Sequence, residues 1–141
     1  IYYGYDIDRR SIDYAKKKYK DKNHHFYCKN FGKKDLKKLP KFDHIILFGI
    51  LHHLKNKEIK IILDLCEKVM KKKATLLTGD PIYVKNQNFV SKFLIKSDRG
   101  MNVRKKNEYL SLVSAHFKNI KASITHQVFI PYTWFSMICK K

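Results

Sequence analysis

The residues of this chain best suited to chemistry stand at the ends of short apolar runs. Tyr2-Tyr3-Gly4-Tyr5-Asp6-Ile7-Asp8 closes one such run on an acid. A carboxylate is an acceptor with two oxygens, so Asp6 can take both hydroxyls of a ribose. It can also serve as a turn or cap residue, since Asp8 stands beside it and both roles favour aspartate. A second run, Phe42 to Phe48, ends in Gly49, where the missing Cβ lets backbone approach a ligand closely. His52 and His53 follow, and each can be read as a packed, hydrogen-bonded loop histidine or as a proton acceptor facing a cleft. No cysteine or carboxylate lies near them in sequence, so no metal is expected. Asp80, before Pro81, can receive a proton or open a turn. Asn30 can accept from a purine amino group with Phe31 against the ring, or begin the loop toward Gly32.

The elements that must position these residues alternate. Strands are expected over residues 1–5, 25–28 and 44–48, the last a near-continuous apolar run of the kind covered on both faces. A helix follows Asp8, with Ile12, Ala15 and Tyr19 on one face. Gly32 to Pro40 reads as a loop. A stronger helix begins near Asn56, with Ile59, Ile62, Leu63, Cys66, Val69 and Met70 inward and Lys57, Lys60, Asp64, Glu67 and Lys68 outward. The strand Ala74 to Thr78 is expected to stop at Gly79-Asp80-Pro81. From Asn88 to Asp98 a short helix should bury Phe89, Val90, Phe93 and Leu94 and end at Gly100 as its C-terminal cap. Another helix, capped near Asn107, carries Leu110, Val113 and Phe117. Two closing strands, 120–125 and 128–137, form an antiparallel ribbon at the sheet edge, with Pro131 interrupting the second. Alternation of this kind builds a mostly parallel sheet with helices on both faces, and such sheets bind ligands beyond the carboxyl ends of their strands.

Composition bounds the partners. The chain has 141 residues, 44% hydrophobic and 13% aromatic, which suits one globular domain with one core. Its formal charge of +19, from 31 Lys+Arg against 12 Asp+Glu, makes nucleic acid a possible partner. The lysines are nevertheless spread over every segment, the pattern of a compositional bias on solvated faces. No apolar run reaches membrane-spanning length, so no membrane is expected as a partner and the protein is expected in the cytoplasm. Cys28, Cys66 and Cys139 show no CxxC spacing and read as reduced thiols.

Together these motifs resemble the class I S-adenosylmethionine-dependent methyltransferases. Tyr3-Gly4-Tyr5-Asp6-Ile7-Asp8 is similar to the acidic motif closing their second strand, which implies Asp6 as the ribose acid and Ile7 as an adenine neighbour. His25 to Asn30 resembles the third-strand motif, with Asn30 where an aspartate is common. Phe42 to Leu54, ending in Leu51-His52-His53-Leu54, resembles the fourth-strand segment, whose Phe48-Gly49 portion would line the methyl-donor end of the cofactor. The tract Ser97 to Arg104, followed by Ile130-Pro131-Tyr132, is similar to a bacterial subgroup; it implies Arg99 and Arg104 on the substrate side, with a helix-end ion pair as the other reading.

The resemblance implies S-adenosyl-L-methionine as cofactor and direct methyl transfer to an acceptor, with a small molecule as the expected partner. Such transfer asks mainly for positioning and a dry cleft. An acceptor that must lose a proton could give it to His52, His53 or Asp80. The glycine-rich loop and first strand of that family have no counterpart, since Gly4, Gly32, Gly49, Gly79 and Gly100 form no cluster. The expectation is therefore an incomplete Rossmann-like fold, first strand missing, as one partial domain over 1–141 with a helical cap at about 81–106. A nucleic-acid-directed methyltransferase and a non-catalytic remnant or binding module are the alternatives.

Overall fold

The computed structural model describes every residue except Arg99, Val128 and Ile130. Its contacts cluster into two compact units, Ile1–Lys37 and Lys38–Lys141.

In the first unit, β1 (Tyr2–Asp6) and β2 (His24–Cys28) pair in parallel, with Asp6 opposite Cys28. Their faces are aromatic: Tyr5 stacks on Tyr27 at 4.9 Å, and Gly4 leaves the space a Cβ would contest with the Phe26 ring at 2.9 Å. Between them α1 (Arg9–Lys18) starts where expected, because Asp8 accepts from the Arg10 and Ser11 N–H groups and lies in extended backbone. Those bonds and that of the Ser11 hydroxyl, the largest, hold the Asp8 carboxyl below the usual carboxylate range.

The second unit is built on a sheet in the order β3-β4-β7-β6. β3 (Phe42–Phe48) and β4 (Met70–Tyr83) are parallel, while β7 (Thr133–Lys140) runs antiparallel to β4 and to β6 (Asn119–His126). The short β5 (Arg104–Lys105) adds in parallel beside Ile82 and Tyr83. Helices α2 (Asn56–Val69) and α4 (Lys106–Ser114) bring Ile59, Leu63, Cys66, Tyr109 and Val113 into one core with Leu47, Leu76, Phe135 and Met137. Each helix begins with an acid reaching back: Glu58 accepts from the Lys55 N–H and Glu108 from the Lys105 N–H, both at 2.7 Å. Burial pushes the Cys66 thiol up to about 12 and the Cys139 thiol up to about 11, as inert core thiols require.

Four expectations about elements are corrected. β3 is not covered on both faces: Leu47 is buried, but Ile46 and Phe48 on the other side of the pleat are exposed, because α2 and α4 pack against the Leu47 side. β4 does not stop at Gly79 but runs on to Tyr83, since β7 pairs with it from Thr75 through Pro81. Pro81 is tolerated after Gly79, the last residue paired with β3, where one edge has no ladder to complete. α3 (Phe89–Ser97) exists, with Asn88 accepting from Val90 and Ser91 N–H, yet it buries Ser91 and Ile95 while Phe89, Val90 and Phe93 face outward. Gly100 is not its cap; Asp98 holds that position with φ of −65°.

Candidate functional site

β3 ends beside Gly79 while β4 runs on to Tyr83, and the turn after β3 is fixed by backbone. The Gly49 N–H donates to the Gly79 carbonyl at 2.7 Å, and Gly49 adopts φ of +66°, a conformation that favours glycine. The chain then folds into a 3-10 turn over Leu51–His53. Its four successive carbonyls are all taken by a segment about fifty residues away in sequence. Arg104 donates to Leu51 O at 2.9 Å and to Leu54 O at 2.7 Å, the Asn102 N–H donates to His52 O at 2.9 Å, and the Asn102 amide donates to His53 O at 3.4 Å. Arg104 also reaches Asn102 O and the Asn56 side chain, so its planar donors are engaged inside the protein. It does not stand free toward an acceptor, as the sequence expectation had it; it holds the turn that carries the histidines. Arg99 lies outside the described residues.

That turn buries His52, whose side chain is 4% exposed, and aims it at Asp80. Asp80 Oδ1 accepts from the His52 N–H at 3.1 Å and lies 2.9 Å from Nδ1. A carboxylate only accepts, so this contact calls for a hydrogen on Nδ1. Asp98 Oδ1 lies 3.8 Å from Nε2, placing the imidazole between two acids. Gly100 makes the arrangement sterically possible: a Cβ there would meet His52 Cδ2 at 1.9 Å. His53 is exposed, with its ring centroid 4.0 Å from that of His52. Asp80 Oδ2 is buried with no hydrogen-bond partner among the described residues.

Asp98 belongs to a second shell of contacts. It accepts from the Gly100 N–H at 3.2 Å and from the Tyr132 hydroxyl at 2.5 Å. Burial works to raise its carboxyl; the Tyr132 bond, the Gly100 bond and the two histidines outweigh that and hold it below the usual carboxylate range. Burial, and after it the Asp98 bond, pushes the Tyr132 phenol far above its ordinary value. Tyr132 leads to an aromatic row: its ring is 5.1 Å from Trp134, which stacks on Phe48 at 4.9 Å. Phe48 lies over Gly79, where a Cβ would sit 2.4 Å from the ring.

In the first unit, Asp6 is exposed at the end of β1, and its Oδ1 accepts from the Asp8 N–H at 2.8 Å, which fixes the carboxylate while leaving it open to solvent. Ile7 is exposed beside it, and its carbonyl accepts from the Cys28 thiol. Asn30 is exposed, and Phe31 packs on Tyr5 at 5.4 Å. Burial, and after it Asp35, pushes the Tyr5 phenol up to about 12.

The structure brings His52, His53 and Asp80 together where the turn after β3 meets the body of β4, and adds Asp98, Tyr132, Trp134 and Gly100. No local periodicity relates residue 98 to 132, so only a contact across the fold could reveal that pair. The one sequence signal was the clustering of Asp98, Gly100 and Tyr132 in otherwise non-periodic tracts.

A family model described as a methyltransferase domain matches residues 1–76. No curated protein matches. Among solved structures, the chain is similar to a SAM-dependent methyltransferase from Archaeoglobus fulgidus, with 15% identity and a TM-score of 0.72 over 99% of this chain and 75% of that one. It is similar to the N-methyltransferase NodS from Bradyrhizobium japonicum, with 11% identity and a TM-score of 0.73 over 99% of this chain and 72% of that one. The magnesium protoporphyrin IX methyltransferase of Synechocystis, solved with bound SAH, gives 16% identity and a TM-score of 0.67 over 99% and 63%. At such identities the likeness establishes a Rossmann-like fold.

Proposed function

The chain belongs to the methyltransferase domain family, and from that premise we propose that it passes the methyl group of S-adenosylmethionine to a small-molecule acceptor, with His52 taking the acceptor's proton. Its cofactor is S-adenosylmethionine, as in the family reading of the sequence. The donor set suits that cofactor: an exposed carboxylate with one oxygen fixed by backbone, at Asp6, matches a pair of ribose hydroxyls. Ile7, Asn30 and Phe31 serve the adenine in this reading. When bound, the cofactor supplies a methyl group that is already activated, so the chain's own work is to place the acceptor and manage its proton.

The observation that carries the reading is the Asp80–His52 pair. Asp80 fixes the hydrogen on Nδ1, and the buried ring offers Nε2 as the accepting atom. Once Nε2 is protonated, Asp98 at 3.8 Å stabilises the imidazolium, and its depressed pKa keeps it charged for that role. Asp80 acts through His52 rather than on the acceptor. His53, exposed and tilted against His52, contacts the acceptor, and Tyr132 with Trp134 forms a wall beside it. Arg104 is a positioning residue for the turn. The bacterial subgroup suggested by Leu51-His52-His53-Leu54 and the Asp98 to Gly100 tract is part of this proposal.

The test is methyl transfer from labelled S-adenosylmethionine across a panel of small hydroxyl and amine acceptors. For a hydroxyl acceptor, His52→Gln is expected to lower kcat by roughly a hundredfold or more, the scale of one general base. Asp80→Asn should shift the pH profile of kcat, and cofactor affinity measured by calorimetry should stay unchanged in both. Full turnover in His52→Gln would remove His52 as the base.

A further inference from the structure

Helix α3 carries an aromatic stripe on the side away from the protein. Phe89 is 81% exposed, Phe93 61% and Val90 47%, while Ser91 and Ile95 are buried. At about 100° per residue, Phe89 and Phe93 lie within roughly 40° of each other and on the face opposite Ser91 and Ile95. The orientation is fixed by polar bonds. Asn88 caps the first turn, and the Ser91 hydroxyl is 3.0 Å from that of Thr133 on β7 and accepts from the Gln87 amide at 3.2 Å. The helix therefore cannot roll its phenylalanines inward without breaking the Ser91–Thr133 contact and exposing Ile95.

Lys92 and Lys96 lie exposed beside this stripe, one turn apart, with Lys85 before the helix. Asp98 is the one carboxylate between Asp80 and Glu108, and Tyr132 and Gly100 hold it. An outward aromatic stripe bordered by lysines, on a chain of formal charge +19, is the chemistry of an interfacial helix. Spanning is a separate matter, and no helix of the described residues is long and apolar enough for it.

We propose that this face of α3 docks on an anionic lipid bilayer, with Phe89 and Phe93 entering the headgroup boundary and Lys92 and Lys96 meeting lipid phosphates. A second copy of the chain is disfavoured as the occupant, since a self-complementary contact would set lysines against lysines with no acid to pair them. The lipid surface offers the opposite charge and an apolar layer at the depth of a phenyl ring.

Sedimentation of the full chain with vesicles tests this, using phosphatidylcholine alone and phosphatidylcholine mixed with phosphatidylglycerol. Binding is expected on the anionic vesicles only, weakening with added salt. The double variant Phe89→Ser/Phe93→Ser should lose roughly tenfold or more in partitioning, and Lys92→Gln/Lys96→Gln should lose part of it. Melting of the phenylalanine variant should match the wild type, because these rings pack on nothing in the protein core. Three results would overturn the proposal: no binding to anionic vesicles, binding that the phenylalanine variant leaves intact, or a self-association in sedimentation velocity that the same variant abolishes.

Discussion

At the scale of single residues, two hydrogen bonds and one charge contact converge on a single imidazole. Tyr132 donates to Asp98, Asp98 faces His52 Nε2, and Asp80 holds Nδ1. Asp98 has a lowered pKa in the folded protein, so its contribution to stability is present above the ordinary carboxylate range and is lost as pH falls through the depressed folded value. Tyr132→Phe removes one cause of that depression. It is expected to cost about 1 to 2 kcal/mol at neutral pH, the scale of a hydrogen bond to a charged and partly exposed group. The cost should fade as Asp98 protonates. Denaturant midpoints of wild type and variant measured down through acidic pH check this; a gap that stays constant would mean that Tyr132 contributes by packing alone.

At the scale of elements, the histidine turn is a short piece with little to hold it locally. A three-residue 3-10 turn supplies few internal bonds, and its carbonyls are completed by Arg104 and Asn102. Arg104→Ala should therefore destabilise the second unit by about 2 to 4 kcal/mol, because it strands buried carbonyls as well as deleting a charge-assisted donor. Arg104→Lys should recover only part, since one ammonium cannot span Leu51, Leu54 and Asn56 together. Thermal melting reads the loss. Cofactor affinity unchanged beside a lowered melting temperature would support a positioning role, whereas a raised acceptor KM at unchanged stability would return Arg104 to the substrate.

At the scale of the whole molecule, each unit carries a strand end to which the family resemblance assigns part of the cofactor: Asp6 after β1 in one and Phe48 at the end of β3 in the other. Asp6→Ala is expected to weaken S-adenosylmethionine binding by about 1.5 to 3 kcal/mol, the value of hydrogen bonds to a charged group. Calorimetry on the protein checks this, and equal affinity in the variant would remove Asp6 from the cofactor site. Because Asp6 is exposed and its Oδ1 accepts from the neighbouring Asp8 N–H, the variant should melt close to the wild type. Cofactor binding should in turn raise the melting temperature of the wild type more than that of the variant.

The sequence by itself determined the elements whose signals are local. The Asp8 cap, the α2 stripe from Ile59 to Val69 and the antiparallel pairing of the closing strands follow from cap chemistry or periodicity, although the second of those strands is Thr133–Lys140, beyond Pro131, and not 128–137. It also determined that Asp6 closes β1 and that Gly49 follows β3, whereas Asp80, expected at a strand tip, lies inside β4. Only the tertiary structure decided which face of α3 points outward: its apolar residues looked like a core stripe, but the bond of Ser91 to Thr133 on β7 and the burial of Ile95 set the phase. Only the tertiary structure turned Arg104 inward and Gly100 from a cap into a clearance for His52. The reason is physical. A cap or a stripe is settled by neighbours along the chain, whereas a buried imidazole, its two carboxylates and the guanidinium that fixes its turn are settled by atoms tens of residues apart, whose spacing in sequence carries no period to read.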